Sequence, residues 1–274
     1  GKSSCHRHVI AVDWIILTVA RYIRVMFGSL RTLLAGLALC AAVASAAAAG
    51  DGRKVVVELF TSQGCSSCPP ADAYLAELAK RDDVIALSFH VDYWNYIGWR
   101  DPFSSPDATA RQRAYGRALR KRYVYTPQIV VDGRAEAVGS DRATVDSLIR
   151  MAAATPKIDI GIVHNADGTA DIRLPSAVAG PKAGELWIGF YDTAIETEIR
   201  AGENRGETIV NANVVRMYKR IGSWTGAALK KRVDLKALGA KGRDGGVIVL
   251  QAPGHGPIIG AVSFPLSRGN IGKN

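Results

Sequence analysis

Two cysteines three residues apart, Cys65 and Cys68 with Ser66 and Ser67 between them, are the residues of this chain best suited to covalent chemistry. A thiol attacks only as the thiolate, and a helix N-terminus favours that anion through its unpaired backbone N–H groups and the positive end of its dipole. The flanking pattern supplies such a terminus. Val55 to Phe60 is a β-branched, apolar strand; Ser62 to Ser67 is turn-like; Pro69 to Lys80 places Ala71, Tyr74, Leu75 and Leu78 at helical spacing. Pro69 suits a first helical turn because the N–H it lacks has no intrahelical partner there. In this arrangement Cys65 is expected to be the partly exposed nucleophile, acidic relative to a free thiol, and Cys68 the shielded thiol that resolves a mixed disulfide.

Two other readings of the pair stay open. As a simple disulfide staple it would restrain the unfolded chain by only about 2 kcal/mol, against nearly 5 for a long loop. As half of a metal site it could offer two thiolates to zinc or copper but would need further ligands, and copper(I) held by Cys65, Cys68 and, as a third ligand, His90 is the set to test. No cofactor is expected otherwise.

The elements around the pair follow from periodicity. Val84 to Val91 is a second buried strand, Asp107 to Tyr123 a basic amphipathic helix, and Gln128 to Val131 with Ala135 to Val138 a hairpin turning at Asp132-Gly133, closed by a helix over Asp141 to Ala154. The order β-α-β-α-β-β-α predicts an α/β, thioredoxin-like domain over residues 51–155. After Thr155-Pro156 the pattern changes to alternating segments at Lys157 to Val163, Ala170 to Leu174, Glu185 to Tyr191, Thr208 to Val215, Val247 to Gln251 and Ile258 to Ser263, separated by Gly, Asn and Asp turns. A separate all-β, sandwich-like domain over 156–274 is therefore expected.

Residues 1–50 read as a leader. Arg31, the apolar run Leu33 to Val43 and the small residues Ala44 to Ala48 form a secretory signal peptide at about 26–49, with Met26 a fitting start and cleavage expected between Ala47 and Asp51. The apolar run is shorter than a membrane span requires, so no permanent span is expected. The full chain carries a formal charge of +10. Removing the leader takes Cys5, Cys40, five basic residues and Asp13 with it, leaving a moderate positive balance and only one cysteine pair. The basic run Arg111 to Arg122 reads as a solvated helix face, and export argues further against nucleic acid. A periplasmic or secreted location is one in which thiols are oxidised, and the expected partners are protein thiols or disulfides of the cell envelope.

Three further positions fit the redox reading. Thr126-Pro127 precedes the third strand, where thioredoxin-like proteins place a cis-proline against the disulfide; an ordinary trans turn proline is the alternative. Glu58, in the first strand, lies near where thioredoxins bury an acid that takes a proton from the second cysteine, or is a surface or loop-bonded glutamate. His90 ends the second strand at the carboxyl edge where open α/β sheets bind ligands, or is simply hydrogen-bonded there. Tyr93, Trp94, Tyr96, Trp99 and Phe103 crowd the long segment 92–106, which suits a lid or a substrate-recognition surface, with Tyr93, Trp94 and Trp99 the candidate contacts, or else a packed loop.

Together the stretches Glu58 to Asp72, Ser88 to Trp94, Gly98 to Phe103, Tyr125 to Gln128, Gly202-Glu203-Asn204-Arg205-Gly206 and Val214-Val215-Arg216 resemble a family of secreted bacterial proteins with a thioredoxin-like fold and no assigned function. The resemblance implies fold and export and supplies no substrate. Gly64 before the first cysteine, and Ser66-Ser67 inside the pair, depart from thioredoxins, which carry an aromatic residue and a Gly-Pro there. Thiol acidity and redox potential therefore do not transfer.

Overall fold

In the computed structural model, residues 54–266 apart from 179 are described. The leader, with its expected signal peptide and cleavage point, lies outside them. Strand β1 (Val55–Thr61) is buried along its whole length. Side chains alternate across a strand, so Val55, Val57 and Leu59 pack on one face against helices α1 (Pro69–Leu78) and α3 (Arg142–Ala153), while Val56 and Phe60 pack on the other beside α2 (Pro106–Ala118). Strand β2 (Val84–His90) runs parallel to β1, and β3 (Gln128–Val131) antiparallel to it. The hairpin from β3 to β4 (Ala135–Val138) turns at Asp132 and Gly133 with φ of 49° and 62°, the two positive values a tight hairpin turn demands. Gly133 is required twice over, since a Cβ there would come within 2.6 Å of the Gly256 carbonyl oxygen.

Helix α2 is shorter than its amphipathic pattern suggests. It ends at Leu119, and Arg120 turns to a φ of 55°, so Lys121 and Arg122 lie beyond the helix. At its other end Ser105 caps it, accepting from the Ala108 N–H at 3.1 Å.

The larger difference concerns the second half. Strands β7 (Gly184–Glu198), β8 (Thr208–Trp224), β10 (Gly245–Gln251) and β11 (Ile258–Pro265) join the first half in one mixed sheet of order β11-β10-β7-β8-β2-β1-β3-β4. The seam is the parallel pairing of β8 with β2 at Val214 and Ser88. The described residues on both sides of 155/156 group in one compact unit. The sequence pattern does not foresee this seam, because β2 leaves one edge open and alternation along a strand does not say which edge it will pair with. The result is a mixed α/β architecture with a large sheet and few helices.

A sandwich does form, locally. Strands β5 (Gly161–His164), β6 (Thr169–Leu174) and β9 (Leu229–Asp234) make a three-stranded sheet. Ala170, Ile172 and Leu174 of that sheet share a core with Leu186, Ile188, Phe190, Ile248 and Leu250 of the large one. The sequence reading missed β9, whose Leu-Lys-Lys-Arg-Val-Asp carries too few apolar residues to stand out. It also underestimated the β7–β8 hairpin, whose far end runs on past its partner strands toward the cysteine edge.

Among the described residues no helix is long and apolar enough to cross a membrane.

Candidate functional site

Cys65 and Cys68 form a disulfide with a Cα–Cα distance of 5.4 Å, and Cys68 is the N-cap residue of α1 with Pro69 in its first turn. The loop is held by the Cys65 N–H on the Ser62 carbonyl at 3.1 Å and the Cys68 N–H on the Cys65 carbonyl at 3.1 Å. Beside it lies the Thr126–Pro127 peptide, which is cis. The Thr126 hydroxyl donates to Cys65 Sγ at 3.2 Å and accepts from Trp94 Nε1 at 2.7 Å. Ser67 Oγ is 3.3 Å from the same sulfur. A strand end, a helix start and the turn before β3 thus converge on one sulfur atom.

Exposure departs from expectation. Cys65 is only 3 % exposed and Cys68 is fully buried, while Ser66 and Ser67 reach solvent. Two coverings account for this. The aromatic segment after β2 supplies Trp94, and Trp99 Nε1 donates to Gln63 Oε1 at 3.2 Å. The tip of the β7–β8 hairpin supplies Asn204, whose Nδ2 donates to the carbonyls of Gln63 at 2.8 Å and Cys65 at 3.1 Å. The two coverings touch, for a Cβ on Gly202 would sit 3.0 Å from Trp99 Cβ. Both indole N–H groups are therefore engaged internally. Tyr93 donates to Gln112 at 3.0 Å, away from the sulfurs, and Tyr96, 80 % exposed and stacked on Trp94, is the ring of this segment most open to solvent.

Beneath the disulfide is a buried polar cluster that sequence reasoning largely missed. Asp72, in the first turn of α1, bonds through its N–H to the Cys68 carbonyl at 3.1 Å and accepts from the Thr61 hydroxyl at 3.2 Å; its Oδ1 has no partner. Burial pushes its carboxyl up to about 7, against the opposing pull of His90. His90 Nδ1 lies 2.6 Å from Asp101 Oδ2, which also accepts from the Gln63 N–H at 2.8 Å, while His90 Nε2 is buried without a partner. Burial would raise the Asp101 carboxyl, but His90 and the N–H groups of Gln63 and Phe103 outweigh it and hold it below the usual range. Gln63 completes the cluster by donating to Asn211 on β8 at 2.9 Å. Asp72, Asp101 and Asn204 all stand inside the quoted motifs. Read singly, however, an acid in a first turn or an Asn in a Gly-flanked loop has ordinary explanations.

Glu58 is not part of this site. It is buried, but on the opposite face of β1, where Arg111 Nε donates to it at 2.7 Å and the Tyr115 hydroxyl makes a second, short bond. Helix α1 packs on the Val57 and Leu59 side, so strand alternation points Glu58 away from Cys68. The residues of the copper(I) set are not brought together as a three-ligand group either. Among the described residues there is no group of three or more His, Cys, Asp or Glu placed to hold a metal, and Cys65, Cys68 and His90 do not make one.

The arrangement has relatives. The sequence model for a protein family described as "Protein of unknown function (DUF1223)" matches residues 56–251. A crystal structure of the protein AGR_C_4864 from Agrobacterium tumefaciens is similar, with 30% identity and a TM-score of 0.68, covering 78% of this chain and 95% of that one. No curated protein matches the chain. The matched span runs from β1 through β10 and so takes in the cysteine pair, both coverings and the polar cluster: the chain belongs to the DUF1223 family of proteins of unknown function.

Proposed function

We propose that this protein is an exported, thioredoxin-like thiol–disulfide oxidoreductase of the cell envelope. The observation that carries the reading is the disulfide at the start of α1 with the Thr126 hydroxyl on Cys65 Sγ. A substrate thiolate attacks Cys65 Sγ, a new S–S bond forms, the Cys65–Cys68 bond breaks, and Cys68 leaves as the thiolate. Asp72, with a carboxyl that holds its proton to about 7, is the candidate to protonate it. A second substrate thiolate then attacks the substrate sulfur of the mixed disulfide. Cys65 departs as a thiolate favoured by the helix start and the Thr126 hydroxyl. The substrate loses two electrons and the protein gains them; run in reverse, the same steps reduce a substrate disulfide.

The near-complete burial of Cys65 supports one other reading, a binding module in which the disulfide is only structural. Oxidoreductase chemistry requires the aromatic segment or the hairpin tip to move aside. One experiment separates the two readings. The reduced chain is alkylated with iodoacetamide across a pH series and mapped by mass spectrometry, in parallel with a Cys68→Ser variant probed for mixed disulfides with envelope proteins. Cys65 reacting first, with a midpoint below the free-thiol value of about 8.5, and partners held on Cys65 are the expected results. Alkylation of Cys68 first, or of neither thiol until the protein unfolds, overturns the oxidoreductase and leaves the binding module.

A further inference from the structure

Helix α2 hands the chain to a basic and aromatic connection, Arg120 to Tyr125, that leads directly into Thr126 and so to Cys65 Sγ. This connection is pinned. The Lys121 N–H bonds to the Gly116 carbonyl at 2.8 Å across the left-handed turn at Arg120, and Gln112 Nε2 donates to the Tyr125 carbonyl at 2.7 Å. Between them Val124 folds back on the helix, for a Cβ on Gly116 would come 3.2 Å from its Cγ1. Against β4, the outermost strand of the large sheet, the connection forms an open groove of about 490 Å3. Clefts that take ligands typically measure ~300–1,000 Å3. One end of the groove meets the disulfide site: Tyr125 precedes Thr126, and Val138 of β4 precedes Gly139, whose N–H bonds to the Pro127 carbonyl at 2.9 Å.

The groove joins positive charge to apolar surface. Arg120, Lys121 and Arg122 line it, all exposed, against a single carboxylate, Glu136. That carboxylate is already covered: Lys121 Nζ lies 2.5 Å from it, Gln128 Nε2 donates to it at 3.1 Å, and the Tyr125 hydroxyl makes a short bond. Arg120 and Arg122 have no ion-pair partner among the described residues. Cations just past a helix C-terminus complement its dipole, which accounts for Arg120 and Lys121 but not for what lies beside them. Tyr123 is 73 % exposed, its ring edge-on to Tyr125 with centroids 6.3 Å apart, and Val138 is 47 % exposed. Tyrosine and arginine are enriched where proteins meet.

We infer that this groove docks an extended acidic segment of a partner protein, one with an aromatic side chain between carboxylates, and holds it beside Cys65. Arg120 and Arg122 receive the carboxylates, and the ring packs on Tyr123 and Val138. A polypeptide suits the site better than a lipid surface, because the groove is concave and opens beside a disulfide, whose chemistry a protein thiol shares and a lipid does not. The walls are pinned before the partner arrives, so little ordering entropy is lost on binding. The substrate class follows: envelope proteins whose thiol lies a few residues from an acidic, aromatic stretch. In naming substrates the inference rests on the oxidoreductase reading above, whereas the docking itself does not.

The test uses the full chain with its disulfide formed and three N-acetylated peptide amides: Asp-Phe-Asp-Gly-Ser-Gly and its counterparts with Asn or Lys in place of Asp, titrated by calorimetry and saturation-transfer NMR. The Asp peptide should bind saturably and at least about tenfold more tightly than the Lys peptide, with the Asn peptide between them. Arg120→Asn, which keeps a residue that accepts positive φ, combined with Arg122→Ser should weaken the Asp peptide about fivefold and reduce its salt dependence. Tyr123→Ser should weaken it about tenfold. The exposed pair Lys236→Ser, Lys241→Ser removes the same charge elsewhere and should leave binding as it was. The same peptides with Cys for Ser then report exchange with the Cys65–Cys68 bond, each rate divided by that peptide's rate with oxidised glutathione. The Asp peptide should exchange several-fold faster than the Lys peptide, and the advantage should vanish in the Arg120, Arg122 variant. Binding in this order without exchange by any peptide would overturn the oxidoreductase reading and leave the groove standing. Exchange at one rate for all three, with no saturable binding, would overturn the groove and leave the oxidoreductase. Displacement of the Asp peptide by phosphatidylglycerol vesicles would overturn the groove in favour of a membrane surface, and equal weakening in the Lys236, Lys241 variant would overturn it by reducing the effect to net charge.

Discussion

The Thr126 hydroxyl donates to Cys65 Sγ at 3.2 Å, and no other side chain outside the Cys-Ser-Ser-Cys loop bonds to that sulfur among the described residues. A hydrogen bond to a charged acceptor contributes roughly 1.5 kcal/mol, which corresponds to about one pKa unit. Thr126→Val keeps the side-chain shape and removes the donor. In the reduced protein the pH midpoint for alkylation of Cys65 should therefore rise by about one unit. An unchanged midpoint, read from iodoacetamide rates across pH, would remove Thr126 from the site.

Asp72 links the site to pH. Its carboxyl is raised by burial from 3.8 to about 7, so between those values the native state binds more protons than the unfolded chain. Its contribution to stability is thus greatest below about pH 4, is lost as pH rises toward 7, and stays lost above; a shift of this size corresponds to roughly 4 kcal/mol. Asp72→Asn carries no such charge. Its urea midpoint should exceed the parent's above pH 7, with the difference closing toward pH 4. A difference that does not vary with pH would show that Asp72 does not titrate in this window.

Asn204 ties the hairpin tip over the disulfide. Asn204→Ala leaves two buried carbonyls, those of Gln63 and Cys65, without their donor, at a cost of roughly 1–3 kcal/mol. The tip should loosen, and dithiothreitol should reduce the Cys65–Cys68 bond several-fold faster than in the parent under native conditions. Equal rates would mean that the tip does not control access to the sulfurs.

For Glu58 the expectation is reversed. Glu58→Gln strands a buried guanidinium without its counter-charge, a change that typically costs about 3–5 kcal/mol. Stability should fall, while the relative alkylation rates of Cys65 and Cys68 in the folded, reduced variant stay as they were. If thiol reactivity changes and stability holds, Glu58 acts on the cysteines after all.

Local order along the chain was legible without the structure. The β1-loop-α1 unit, the turn at Asp132-Gly133 and the succession of strands and helices through residue 153 follow from side-chain periodicity, from Pro69 at a helix start and from a dipeptide that accepts positive φ. These are short-range constraints. They are written in neighbouring residues, so the sequence by itself determined where the cysteines sit and that the second of them opens a helix.

What only the tertiary structure decided is long-range. Whether Glu58 lies near Cys68 depends on which face of β1 receives α1, whereas Asp72 is brought beside Cys68 by the helix itself; both positions are acidic, and both are buried. Whether the second half stands apart depends on the pairing of Val214 with Ser88, residues 126 positions apart, across an edge that local pattern leaves unspecified. The cover over Cys65 has the same origin: Asn204 is 139 residues away in sequence and arrives only because β7 and β8 extend together past their neighbours. Periodicity reports that a residue is buried. It does not report against what, because the partner is chosen by sheet order and hairpin reach, which emerge only when the whole chain packs.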